Sequence, residues 1–465
     1  MDTLVGQAGG LVHHRPGKAG TPVLLGILAT LMASSPAAAA AQTADEPVTV
    51  SSEHPRLFLR PARLRLLKRE RDRTSARWQQ LEALVMGGAP MPERGFADAL
   101  YYAVTGDAAA GRRAVAWALG RDNDLRQQAL VFDWCQELLS DAQRRELTSR
   151  LEKGIAETAG ADTVAAVRSR VLAAVALFDH VPRTPQRELE RVVHTWWEAK
   201  MAPALKSGRS VLKREDAYPL LELLHALRDN ANLDLRESCP LYFKDYPIEH
   251  LMTYYPPPYP APDGDYYIGM TRKIGEPDLR EAALSRAAEL AMVAYDANAP
   301  SSQILQGWLM HDKFILRGTF GAPYEFLWAN PYQPGLSYYL APLVYYNAEM
   351  GRLFVRSSWD DSARWFGYFD GVMQIFEDGR VTAISPQLAA GPISLDQAVV
   401  CLAQTARKFQ LEMQDEALVF LVGLEPLRKY EVEIDDEEMY EAAADMGGIL
   451  ELELPHGKDV GVRLK

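Results

Sequence analysis

Apolar positions recur at i, i+3, i+4 and i+7 through the first half of the chain, the spacing of one buried face on an α-helix. Behind Pro61, the stretch Ala62 to Val85 carries Leu64, Leu66, Leu67, Trp78, Leu81 and Leu84 as one stripe, and a single helix is expected there. The same pattern predicts helices over 96–104, 108–119, 125–139, 141–158, 161–178, 185–205 and 211–227. Gly106-Asp107, Arg121-Asp122, Gly160 and Pro182 interrupt them. The connections are short, so neighbouring helices pack as antiparallel hairpins. Two more helices are expected over 277–296 and 301–314.

Between Asn230 and Glu276 the texture changes. The run from Tyr254 to Tyr267 alternates tyrosine and proline and cannot be helical, because proline lacks an N–H and clashes with the preceding turn. After residue 350 the period shortens to two. Leu353–Ser357, Arg364–Phe369, Val372–Phe376 and Val381–Ile384 are short aromatic or β-branched runs, with Asp370-Gly371 and Asp378-Gly379 as turns. Further strands are expected near 399–403, 405–412, 418–424, 430–434, 449–454 and 460–464. Helices first and strands after define an α+β chain with an α region and a smaller antiparallel β region side by side.

Charge and termini narrow the function. The 465 residues carry a net charge of −12, which argues against a nucleic-acid partner. An acidic polymer would need a local basic cleft. His13, His14, Arg15 and Lys18 precede an apolar stretch from Pro22 to Met32 and an alanine-rich run ending at Ala41. That is the layout of a cleaved export signal, its apolar part shorter than the ~20 residues of a membrane span. A periplasmic or secreted location follows as an expectation, with no membrane span after signal removal. Cys135, Cys239 and Cys401 match no zinc spacing and read as buried thiols. No Walker loop, G-x-G-x-x-G, H-E-x-x-H or G-x-S-x-G occurs. No metal and no cofactor are expected.

Three stretches in order carry a resemblance. They are His54-Pro55-Arg56-Leu57-Phe58-Leu59, then Val131-Phe132-Asp133-Trp134-Cys135, then Leu353-Phe354-Val355-Arg356-Ser357-Ser358-Trp359. Together the chain resembles the heparinase II/III-like polysaccharide lyases. The resemblance implies an incomplete α/α toroid of antiparallel helices joined to an antiparallel β-sandwich. The expected layout is a signal at 1–41, a linker at 42–56, a toroid at 57–345 and a β domain at 346–465. Each patch also has a plain reading as fold maintenance: Trp78, Phe132 and Trp134 as core, Asp133 as a cap or pairing group, Arg356 in a structural ion pair.

The implied reaction is β-elimination on a uronate-containing, acidic polysaccharide. One group must neutralise the carboxylate, a base must take the C5 proton and an acid must protonate the leaving oxygen. In the resembled family a tyrosine with a histidine or asparagine does this work. Here Tyr254, Tyr255, His225 and His250 are the candidate catalytic groups, and Arg228, Asn230, Arg236, Tyr266, His311 and Arg356 the candidate substrate-binding groups. His225 and Arg228, three apart, share a helix face. The family's adjacent Asn-His pair is absent, and between Trp328 and the end His456 is the sole histidine, with His311-Asp312 the nearest substitute. Two other readings stay open. One is a glycoside hydrolase using carboxylates among Asp229, Glu249, Asp263 and Asp265. The other is a non-catalytic carbohydrate binder whose aromatic loops stack sugars.

Overall fold

The computed structural model describes residues 48–465 apart from 122–123, 208–210, 312–315, 385–390, 405, 413–416 and 455–458. The signal reading, Asp312 and His456 lie outside the described residues. Among the described residues no helix is long and apolar enough to cross a membrane.

Helices come first, and several begin where a short polar side chain takes an orphan N–H. Asp124 accepts from the Gln127 N–H at 3.1 Å to start the helix Leu125–Trp134. Ser140 and Gln143 form a reciprocal capping box ahead of Asp141–Glu157. Capping also divides the first expected helix. Ser75 accepts from the Trp78 N–H at 3.2 Å, and Thr74 sits at φ 48°, so the chain forms Pro61–Asp72 and Ala76–Met86 rather than one rod. The segment before the Tyr/Pro run contains an unexpected helix, Pro240–Met252. Pro240 stands in its first turn, where a missing N–H costs nothing. The Tyr/Pro run itself makes a small hairpin, Tyr259–Ala261 with Gly264–Tyr266.

The sheets follow from Val344. A five-stranded meander runs Val344–Asn347, Arg352–Arg356, Trp365–Phe369, Val372–Glu377 and Arg380–Ala383. Two four-stranded sheets come after it. Every described pairing is antiparallel except Leu418–Val422 with Ala398–Leu402, which run parallel.

Side-chain alternation stacks these layers. Phe354, Trp365, Phe369 and Phe376 turn toward the helices and join their core. Leu353, Val355 and Phe366 turn the other way onto Val400, Leu402, Phe420 and Val422 of the second sheet. The opposite face of that sheet, Val399, Cys401, Val419 and Leu421, packs on Val432, Ile434, Val460 and Val462 of the third. The strands Arg352–Arg356, Trp365–Phe369, Ala398–Leu402 and Leu418–Val422 are therefore covered on both faces, which is why they read as nearly unbroken apolar runs. All three cysteines are free and buried.

Candidate functional site

Two groups of polar residues flank the helix Leu279–Tyr295, on nearly opposite sides of it. Glu289 serves one group and the Ala291 carbonyl the other. Positions two apart on an α-helix, such as 289 and 291, are rotated by about 200°.

On the Ala291 side lie His225, Arg228, Asn230 and Arg236. His225 Nε2 meets the Ala291 carbonyl at 3.0 Å, and the ring packs on Trp328 and Tyr295. Burial pushes this imidazole below its ordinary range. Arg228 donates to Asp229 and to the Tyr295 carbonyl, while Arg236 pairs with Asp234. The two guanidinium groups lie 3.8 and 3.9 Å from the Tyr295 ring. Asn230 donates to the Ala226 carbonyl and accepts from the Ser51 N–H. These four residues tie helix ends together around Tyr295.

On the Glu289 side the geometry is different. His250 occupies the last turn of Pro240–Met252, and Tyr254 follows one turn later. The Tyr/Pro segment leaves at Tyr255 and returns, the Tyr255 N–H bonding Ile268 O and the Met270 N–H bonding Thr253 O. That closure holds Tyr254 against the helices. Arg214 lies 4.0 Å over the Tyr254 ring, and its NH2 is 3.0 Å from His250 Nε2. It also donates to Ser285 Oγ and Thr253 Oγ1. Glu289 Oε1 is 3.4 Å from His250 Nε2, and Arg286 donates to Glu289 Oε2. A phenol, an imidazole, a guanidinium and a carboxylate thus share one pocket of the junction with the first sheet. Tyr254 is 2 % exposed and His250 4 %.

Environment separates their proton affinities. Burial, then the Arg214 charge, lowers His250 to about 4, so it is a neutral acceptor at neutral pH. Burial, then the charge of Glu289, drives the Tyr254 phenol far above its ordinary value, so it keeps its proton. Glu289 stays below the usual carboxylate range despite burial, the adjacent His250 and the charge of Arg286 favouring its ionised form.

The remaining candidates sit around this cluster. Arg356 donates from NH1 to the Tyr254 carbonyl at 2.9 Å and from Nε to Ser358 O, and it covers Trp359. It bonds carbonyls where an ion pair was expected, and burial lowers it to about 10. Tyr255 donates to Gln374 of the first sheet at 2.9 Å and accepts from the Thr271 N–H. Tyr266 donates to Asp263 at 2.8 Å. His311 is exposed, 4.5 Å from Tyr338 between ring centres.

Arg214 and Glu289 were not among the sequence candidates. Neither was Glu222, buried in an apolar helix and held by Arg126, Arg168 and Tyr218. A signal existed for both acids: each is a lone charge inside an apolar helical run, Leu220-Leu221-Glu222-Leu223-Leu224 and Ala287-Ala288-Glu289-Leu290-Ala291. Such a charge must have a partner.

A third cluster joins two of the resembling stretches. Asp133 accepts from the Arg56 and Leu57 N–H groups at 2.9 and 2.8 Å and lies 2.5 Å from His54 Nδ1. Arg56 donates to His54 Nε2 and to Asp179. One possible ligand atom from each of His54, Asp179 and His180 falls within 4.8 Å of the others. The Arg56 guanidinium bonds two of the three residues, so positive charge already sits where a cation would bind.

No family model matches the chain, and no curated protein matches it. One solved structure, described as a glycoside hydrolase, aligns at a TM-score of 0.30 and 10% identity, over 90% of this chain and 77% of that one. A likeness at that score carries no argument about fold or chemistry.

Proposed function

We propose that the protein acts outside the cytoplasm on a uronate-containing polysaccharide, cleaving it by β-elimination. The observation that carries this reading is the convergence of His250, Tyr254 and Arg214 beside Glu289. The neutral His250 imidazole takes the C5 proton. Arg214, half-buried at the edge of the cluster, turns from His250 to the uronate carboxylate and stabilises the enolate-like charge. The electron pair forms the C4–C5 double bond as the C4–O bond breaks, and the Tyr254 phenol protonates the departing oxygen. His250 and Tyr254 are enclosed, so substrate enters when the 256–267 stretch lifts while the Tyr255–Ile268 and Met270–Thr253 bonds keep Tyr254 in place. At neutral pH the imidazole is free of a proton and the phenol holds one, the states a base and an acid need.

The export part of the reading rests on the N-terminal residue pattern. Mass analysis of the mature protein tests it. Incubation with a panel of acidic polysaccharides tests the chemistry. An unsaturated uronate product, seen by its ultraviolet absorbance, supports β-elimination. Reducing ends without that absorbance select a hydrolase. Among the hydrolase candidates, Glu249 pairs with Arg352 at 2.6 Å and Asp229 with Arg228 at 2.7 Å, which disfavours free acid/base roles.

A second reading, carbohydrate binding without turnover, is favoured by the exposed Tyr339 and Leu340 next to Tyr338 and His311. Binding across the panel with no new product selects it.

A further inference from the structure

The helix Pro61–Asp72 carries Arg63, Arg65, Lys68, Arg69 and Arg71 against Glu70 and Asp72, in a chain whose net charge is −12. A cleft of about 290 Å³ lies between this helix and the loop that precedes it. Pro55, Leu59 and Leu64 give it apolar walls, Arg65 and Lys68 give it a basic rim, and His54 and Glu53 complete the lining, Glu53 as its one acid. Arg65 and Lys68 are exposed.

The loop wall is fixed before any ligand arrives. Asp133 holds the Arg56 and Leu57 N–H groups and His54 Nδ1, and Trp134 Nε1 donates to the Leu57 carbonyl at 2.8 Å. The Leu59 N–H closes on the Leu57 carbonyl at 2.8 Å around Phe58, which has φ 61°. A bulky residue in that region is strained and persists where its surroundings over-determine it. Behind the wall Arg56 pairs with both Asp133 and Asp179, so its charge is committed there and the cations open to a ligand are Arg65 and Lys68.

We propose that this cleft is a binding subsite for one carboxylated sugar unit of an acidic glycan. The apolar walls suit the C–H face of a sugar ring, and Arg65 and Lys68 meet its carboxylate. The volume is at the lower end of small-ligand sites, which limits the occupant to a single unit. The subsite shares no residue with the His250–Tyr254 cluster and requires no turnover.

The test is saturation-transfer NMR on the full chain with D-galacturonate, which has no glycosidic bond to eliminate, and D-galactose as the neutral control. Loss of the proposed lyase activity therefore leaves this result untouched. Transfer to galacturonate and not to galactose is expected. It should fall at least ten-fold in Arg65→Glu/Lys68→Glu and persist in Arg65→Lys/Lys68→Arg, whose charge is retained. Equal transfer to galactose, or an unchanged signal after charge reversal, overturns the proposal. So does transfer to uridine monophosphate with none to galacturonate, which would assign the rim to nucleic-acid phosphates.

Discussion

Asp133 and His54 stand 79 positions apart in sequence and 2.5 Å apart in space. The relationship makes two of the resembling stretches one structural unit. Asp133 is 1 % exposed, and its two oxygens take a ring N–H and two backbone N–H groups that nothing else satisfies in the described contacts. Asp133→Ala strands those donors. Each buried, unsatisfied donor costs roughly 1–3 kcal/mol, so a loss of about 3–5 kcal/mol is expected in urea unfolding. Asp133→Asn, which keeps one acceptor oxygen, should lose less. An unchanged midpoint for Asp133→Ala would show that the loop 54–59 is held by packing alone.

The second prediction concerns a buried charge pair. Arg126 makes several bonds to the fully buried Glu222, which also accepts from Tyr218. Removing the arginine leaves the buried carboxylate with Arg168 and Tyr218 alone, and Arg126→Met should destabilise by up to about 3–5 kcal/mol. Adding Glu222→Leu removes the stranded charge. The double variant should therefore be more stable than Arg126→Met, a difference that a double-mutant cycle reads directly.

How much of this could be read from sequence depends on range. The helical body was legible because its apolar spacing is local. The break at Thr74 was not, because Leu67 and Trp78 remain in one apolar stripe across it while Ser75 supplies a cap. The helix Pro240–Met252 was hidden by its two prolines, one harmless in the first turn and one, Pro247, inside the helix. Strand Ala398–Leu402 was legible as an apolar run, and its parallel partner was not, since pairing direction leaves no mark on composition. His250 and Tyr254 could be paired by their four-residue spacing. Arg214, 36 positions before His250, reaches them only through folding. His225 and Arg228 were expected beside a tyrosine of the 254–267 segment, and the one they meet is Tyr295.

Tyr254→Phe separates chemistry from folding. The ring, its stacking under Arg214 and its burial all survive the change, and the phenolic hydroxyl is lost with its bond to Glu289. Removal of a positioned acid typically costs 10²–10⁴-fold in rate. A fall of at least about 100-fold in unsaturated product is expected, measured where urea unfolding shows the variant still folded despite losing its bond to Glu289, worth roughly 1.5–3 kcal/mol. Equal product formation by Tyr254→Phe would remove the phenol from the mechanism.

The pH dependence of stability provides the last prediction. His250 is held at about 4 in the folded protein, against about 6.5 for a free imidazole. The unfolded chain therefore binds this proton first. Above pH 6.5 the group contributes no difference between the two states. As pH falls from about 6.5 toward 4 the unfolded state gains protons that the folded state refuses, and stability declines. The loss levels off once the folded protein also protonates, near the lower value. The span corresponds to about 3 kcal/mol as an order of magnitude. Carboxylates such as Glu289 add their own loss at lower pH, since they are held below their ordinary range. His225, also lowered by burial, contributes in the same direction. Urea unfolding at intervals between pH 7 and 4 should show a shallower slope for His250→Asn than for the parent. Parallel slopes would mean that His250 gains its proton as readily in the folded chain as in the unfolded one, and so that the enclosed pocket beside Glu289 is open to water.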